Sequence, residues 1–148
     1  IGRPVDLAIL ATGPASIPGL VRECGAAGIR NAVVWAGGFA EVGPEGREKQ
    51  RELAAIARAG GLKLCGPNCI GIINTSIGLT ASFTSMLSEV DQLRQGAISI
   101  VSQSGGTAIN AQALVQQAGS GCRLVIGAGN EAVLGMGDYL RMVAARSR

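Results

Sequence analysis

The sequence predicts an α/β protein organised around parallel strands, and three observations carry that prediction. Short, nearly continuous apolar runs alternate with stretches of helical periodicity, in the order βαβαβ, a connector, then βαβα. Glycine, at 23 residues, is roughly twice as frequent as in ordinary chains and is not gathered in low-complexity tracts, which points to many tight turns. Aromatic residues make up only 3% of a chain that is 47% hydrophobic with a mean hydropathy of +0.34, so Ala, Val, Ile and Leu must fill the core.

Residues 5–11 form a buried-type strand closed by Thr12-Gly13-Pro14. Ser16 stands where it can cap the next helix, with Pro18 in the first turn. Ile17, Leu20, Val21, Cys24 and Gly28 share one helical face, and Gly25 and Gly28 mark the end. Residues 31–35 are the second strand. Pro44 opens the second helix with Glu45 and Glu48 in its early turns, where carboxylates complement the helix dipole. Leu53, Ile56, Ala57 and Gly60 give its buried stripe, and Gly60-Gly61 stops it. Residues 62–65 are a short third strand, followed by a sharp turn at Gly66-Pro67-Asn68-Cys69 and two short extended pieces, 70–74 and 79–83. Residues 84–95 read as a polar connector with a weak helical pattern at Met86, Val90 and Leu93, and a domain boundary is expected there. The strand at 97–101 is the strongest of the chain. It runs into Ser102-Gln103-Ser104-Gly105-Gly106 and a helix to about Ala118. A strand at 123–126, a Gly127-Ala128-Gly129-Asn130-Glu131 turn and a helix around 137–145 complete the pattern. Two strands do not make a stable doubly wound sheet, so the second unit reads as part of a larger one.

Composition excludes several classes. The net charge of +3 is scattered, with no basic stripe interleaved with aromatics, so nucleic acid is not an expected partner. No apolar run reaches the ~18 residues of a membrane span, and the opening residues lead straight into a strand, so neither a membrane anchor nor a secretory leader is expected. Cys24, Cys65, Cys69 and Cys122 form no CxxC pair and suit free thiols in a reducing cytoplasm. The chain has no histidine. It cannot build a Ser-His-Asp or Cys-His triad on its own, and a metal site is not expected.

In parallel sheets ligands gather at the carboxyl ends of strands, where the unusual turns all fall. At Ser102 to Gly106 the free N–H groups and dipole of a helix N-terminus favour an anion, the glycines permit close approach, and two hydroxyls add donors. The alternative is a serine that only caps the helix. At Gly66 to Cys69, Asn68 offers a donor and an acceptor at a strand-end site; alternatively the segment is a plain turn with Cys69 as a small buried hydrophobe. Cys69 is not expected to act as a nucleophile, having no base nearby in sequence. The long Ala36-Gly37-Gly38-Phe39-Ala40-Glu41 connection suits an adenine or a pantetheine arm, unless Phe39 packs into the core. In the Gly127 to Glu131 turn, Glu131 is open to three readings: it repels or orients a phosphate, it binds a metal, or it only caps a helix.

Together these segments resemble one family. The order of residues 5–9, Ala36 to Glu41, Gly66-Pro67-Asn68-Cys69 with residues 70–74, Val101 to Gly106, and Gly129-Asn130-Glu131-Ala132 is similar to the NDP-forming (ADP-forming) acyl-CoA synthetases, relatives of the succinyl-CoA synthetase α subunit. The resemblance implies a CoA-binding Rossmann-like domain at 1–83 lacking its N-terminal part, a connector at 84–95, and a truncated flavodoxin-like domain of the succinyl-CoA synthetase type at 96–148. It implies that Thr12, Gly13, Pro14, Ala36, Gly37, Gly38 and Phe39 help hold coenzyme A or acyl-CoA, with Asn68 and Cys69 near the CoA thiol. It implies that Ser102, Gln103, Ser104, Gly105 and Gly106 receive phosphate from a phosphohistidine, with Asn130 and Glu131 nearby. The reaction implied is reversible: acyl-CoA, phosphate and ADP give free acid, CoA and ATP through an acyl phosphate. The phosphohistidine, and the ADP/ATP site with Mg2+ on a grasp-type nucleotide-binding domain or subunit, lie outside these residues. An oligomeric, cytoplasmic ligase is expected, and the 148-residue chain alone is expected to lack ligase activity. The other implied reading is a non-catalytic CoA-binding module, as in relatives fused to acetyltransferases. A nicotinamide-binding enzyme is disfavoured by the missing GxGxxG fingerprint.

Overall fold

The computed structural model describes residues 2–84, 87 and 92–145. Three parallel strands, β1 (Ala8–Leu10), β2 (Asn31–Val34) and β3 (Lys63–Cys65), form one sheet in that order, with Ile9 opposite Val33 and Ala32 opposite Leu64. Helices α1 (Ile17–Ala26) and α2 (Pro44–Ala59) make the two crossovers. α1 buries Ile17, Val21 and Cys24, the face that the 3.6-residue period assigns to the core. Pro18 sits in the first turn as expected. Ser16 stands at the N-cap, but its hydroxyl donates to the Gly13 carbonyl at 2.9 Å, within a short 3-10 turn at Pro14–Ser16, and caps nothing. α2 buries Leu53, Ala54 and Ala57 and carries Glu45 in its first turn and Arg58 in its last, both in favourable dipole positions.

The second sheet has the order β5-β4-β7-β6 and combines β4 (Gly71–Asn74), β5 (Leu79–Ser82), β6 (Ile98–Ser102) and β7 (Cys122–Gly127). β6 and β7 are parallel, with Val101 opposite Ile126, and α3 (Gly105–Gln117) crosses between them. β4 and β5 form an antiparallel hairpin, and β4 pairs antiparallel with β7, placing Ile73 opposite Val125. The two short extended pieces thus supply the strands that β6 and β7 lack by themselves. α4 (Met136–Ala145) closes the described chain. Most of the connector expected at 84–95, including residues 85, 86 and 88–91 and the weak helical pattern there, lies outside the described residues.

One core lies between α1, α2 and the first sheet, and holds Leu10, Ile17, Val34, Leu53 and Leu64. A second lies between the sheets, where Val33 and Cys65 meet Ala81, Leu124, Ile126 and Tyr139. A third holds Ile73, Ala108, Cys122 and Val125, and aliphatic residues predominate in all three, with Phe39 buried in the first and Tyr139 in the second. Among the described residues, no helix is long and apolar enough to cross a membrane.

Candidate functional site

All five unusual turns lie at carboxyl ends of strands, and backbone hydrogen bonds stitch four of them together. The Asn68 N–H donates to Ala36 O at 2.8 Å, joining the turn after β3 to the loop after β2. The loop after β7 reaches both sheets. Its Asn130 N–H donates to Pro67 O (2.9 Å) and Ala132 N–H to Gly66 O (3.0 Å), while Ala128 N–H donates to Ser102 O (2.8 Å) and Gly129 N–H to Gln103 O (3.1 Å). Such contact demands a glycine at 129: a Cβ there would lie 2.4 Å from Asn68 O, and its φ is +65°. The fifth turn, Thr12-Gly13-Pro14, is exposed and touches the second through Pro14, whose Cγ lies 3.0 Å from a Cβ position on Gly38. Asn68 (φ +53°) and Glu131 (φ +56°) are the non-glycine residues with left-handed backbone among the described residues. Both belong to turns that the sequence singled out.

A polar circuit fills the space between these loops. Glu41 folds back so that its carboxylate accepts from Gly38 N–H at 2.5 Å and Phe39 N–H at 3.2 Å, and it also accepts from Asn130 Nδ2. Asn68 Nδ2 donates to Asn130 Oδ1 at 3.3 Å. Gln50 accepts from Ala40 N–H (3.2 Å) and Asn130 Nδ2 (3.0 Å) and donates to Asn130 O (3.1 Å). Partial burial raises the Glu41 carboxyl, but the Asn130 amide and the loop N–H groups outweigh it and hold it below its usual range. Glu131 faces elsewhere: its Oε2 accepts from Met136 N–H at 3.1 Å, at the start of α4. Sequence reasoning selected Asn68, Asn130 and Glu131, included Glu41 in the Ala36 to Glu41 loop without giving it a role, and missed Gln50. Gln50 sits well inside α2, where no motif marks it.

The Ser102 to Gly106 turn opens α3 at Gly105, with Ser104 as N-cap; the Ser104 hydroxyl accepts from Thr107 N–H at 3.3 Å. Capping is therefore real there, and it leaves the first-turn N–H groups of Gly105 and Gly106 without intrahelical partners. The two glycines differ. A Cβ on Gly105 would lie 2.5 Å from Ile70 Cγ2, so this glycine serves packing, whereas nothing lies within 4 Å of one on Gly106. Gln103 is spent on structure, donating from Nε2 to Gly129 O at 3.0 Å.

Two further residues divide along the alternatives the sequence left open. Phe39 is 1% exposed in the first core, so the aromatic ring is unavailable to a ligand, and its backbone N–H is taken by the Glu41 carboxylate. Cys69 is buried too, and its Sγ donates to Val34 O at 3.3 Å. The cysteines form no CxxC pair in sequence, but the turn folds Cys69 Sγ to 4.0 Å from Cys65 Sγ. The shared hydrogen bond to Cys65, and then burial, push the Cys69 thiol far up. Tyr139 packs beside the pair; burial first and Cys65 second push its phenol up. Cys65 and Tyr139 also line a 470 Å³ apolar cavity between the sheets, beside Asn31 and Lys63 at the amino ends of β2 and β3, away from the stitched loops. Among the described residues, no group of three or more His, Cys, Asp or Glu side chains is placed to hold a metal.

Residues 2–75 match the family described as CoA binding domain, and residues 95–148 the family described as succinyl-CoA ligase like flavodoxin domain. The acetate–CoA ligase [ADP-forming] I of Archaeoglobus fulgidus is 39% identical over 144 residues, which cover 97% of this chain and 20% of that protein. The acetate–CoA ligase [ADP-forming] II subunit alpha of Pyrococcus furiosus is 32% identical over 95% of this chain and 29% of its own length. A dinucleotide-forming acetyl-coenzyme A synthetase 1 from Candidatus Korarchaeum cryptofilum, solved in complex with phosphate and ADP, superposes with a TM-score of 0.87 at 29% identity over 97% of this chain and 29% of that one. The chain thus spans between a fifth and a third of the length of these relatives. The CoA-binding, Rossmann-like match takes in the first sheet and β4, the flavodoxin-like match takes in β6 and β7, and the chain belongs to the family of NDP-forming acyl-CoA synthetases.

Proposed function

We propose that this chain is the CoA-handling and phosphate-receiving part of an ADP-forming acyl-CoA synthetase, which interconverts acyl-CoA, phosphate and ADP with free acid, CoA and ATP. The observation that carries the reading is the stitching of four strand-end loops into one surface, with a helix N-terminus beside an exposed Asn68. The residues present fit CoA. The backbone at Gly13 has open space around it, and the loop of Ala36, Gly37 and Gly38 presents no bulky side chain. When bound, CoA supplies the thiol that carries the acyl group. Asn68 then orients that end, and Cys69 shapes the turn from within.

On this reading the N–H groups of Gly105 and Gly106, with the hydroxyls of Ser102 and Ser104, hold the phosphate. Donors fixed before the reaction stabilise charge without reorganising. Asn130 supports the loop between the two ends, and Glu131 fixes the start of α4. Transfer to ADP requires a histidine from outside the chain, since the chain holds none, and a nucleotide site with Mg2+ on a grasp-type domain or partner subunit. Relatives named as alpha subunits support such a partner, and a cytoplasmic setting suits the free thiols.

The test uses the full-length protein and phosphate-labelled ATP. The expected result is an acid-labile, base-stable phosphoprotein whose label is discharged by free acid and CoA. No label would sink the enzyme reading. Calorimetric CoA binding without label would instead identify a non-catalytic CoA-binding module.

A further inference from the structure

Glu41 is exposed, yet it is tied more closely than an exposed loop carboxylate requires. Its two oxygens take N–H groups from its own loop and the amide of Asn130, which is 89 residues away in sequence. Asn130 passes the link to Asn68 in the turn after β3 and to Gln50 in α2. The loop of Asn130 continues to the helix N-terminus through Gln103 and Ser102. Every other side chain in this circuit is neutral, so Glu41 supplies its one charge. Hydrogen bonds to an ionised acceptor are about twice as strong as neutral ones. The circuit also surrounds left-handed backbone at Gly38 and Asn68, and conformations of that kind at a non-glycine residue persist only where their surroundings over-determine them.

We propose that Glu41 is a positioning residue that locks the Ala36–Glu41, Gly66–Cys69 and Gly127–Glu131 loops into one arrangement, so that the CoA side and the phosphate side of the site are held as a single body. The identity of the two sides rests on the function proposed above; the lock itself does not. Glu41 touches no reacting group. Its effect runs through Asn130 and the backbone of three loops, and it sets the distance between the turn carrying Asn68 and the turn carrying Ser104.

The test compares full-length wild type with Glu41→Gln, Glu41→Asp, Asn130→Ala and the Glu41→Gln/Asn130→Ala pair. Glu52→Gln, which touches only an exposed Arg22 partner, is the control. Amide hydrogen exchange is followed in peptides covering the three loops and the strands β2 and β7. Glu41→Gln is expected to speed exchange roughly tenfold in all three loops together while the strand peptides stay unchanged. Glu41→Asp, which keeps the charge, restores part of the protection. In turnover assays, kcat falls roughly tenfold while the KM for CoA moves far less, because geometry and not affinity is lost. The double variant is expected to match the single ones, since each breaks the same circuit. Faster exchange confined to residues 36–41, additive effects in the pair, or a lowered thermal midpoint with loop protection retained would each overturn the proposal. A wild type that forms neither phosphoprotein nor acyl-CoA would sink the ligase reading alone, and the exchange experiment would still decide the lock.

Discussion

At Gly105 two demands on one glycine pull apart. A glycine at the mouth of a helix-end anion site suggests room for phosphate, but here the missing Cβ makes room for Ile70. Gly105→Ala gains at most ~1 kcal/mol of helix propensity, while forcing a methyl into a 2.5 Å contact costs about 1–3 kcal/mol. The clash wins, so Gly105→Ala is expected to lower stability in urea unfolding, and Ile70→Ala in the same chain to recover much of the loss. Gly106→Ala, in open space, is expected to leave stability close to wild type. The same scale shows where sequence reading stopped. Asn68, Asn130 and the serines were legible because turn chemistry constrains which residue types fit. The Glu41 circuit was not, because a contact spanning 89 residues leaves no local pattern. The Cys65–Cys69 contact also escaped, since the two lie four apart across a turn whose path the spacing does not reveal.

Among the elements, the β4–β5 hairpin carries the most unexpected burden. Its strands were legible as short extended pieces, and the helices α1 to α3 as amphipathic or capped segments between turns. Which sheet the hairpin joins was not legible, because strand pairing depends on partners distant in the chain. Ile73 is 1% exposed and lies opposite Val125, inside the core shared with Ala108 and Cys122. Ile73→Ala is therefore expected to cost about 2–5 kcal/mol, as for other fully buried aliphatic truncations. The measurement is the shift of the denaturation midpoint. A cost below about 1 kcal/mol would mean that the hairpin is peripheral to the second sheet.

For the whole molecule, the layers run from helices α1 and α2 through the first sheet to the second, with a core on each side of the first sheet. Trp35, the sole tryptophan, reports on the inner boundary: it follows β2 and its ring lies 5.0 Å from Phe83, just beyond β5. Because Val33 and Cys65 share their core with Ile126 and Ala81, the two sheets are expected to unfold together. Tryptophan fluorescence and far-ultraviolet circular dichroism of the 148-residue chain should give coincident transitions, and a separate earlier fluorescence change would show that the sheets part first. The hairpin also bears on how such proteins diversify. The matched family segments end at residue 75 and resume at 95, which suggests two exchangeable modules. Yet β4, in the first segment, is hydrogen-bonded along its length to β7, in the second. A recombination event with its crossover near residue 84 would join strands selected in different ancestors, so compatible inheritance of the two segments is a packing requirement as much as a functional one.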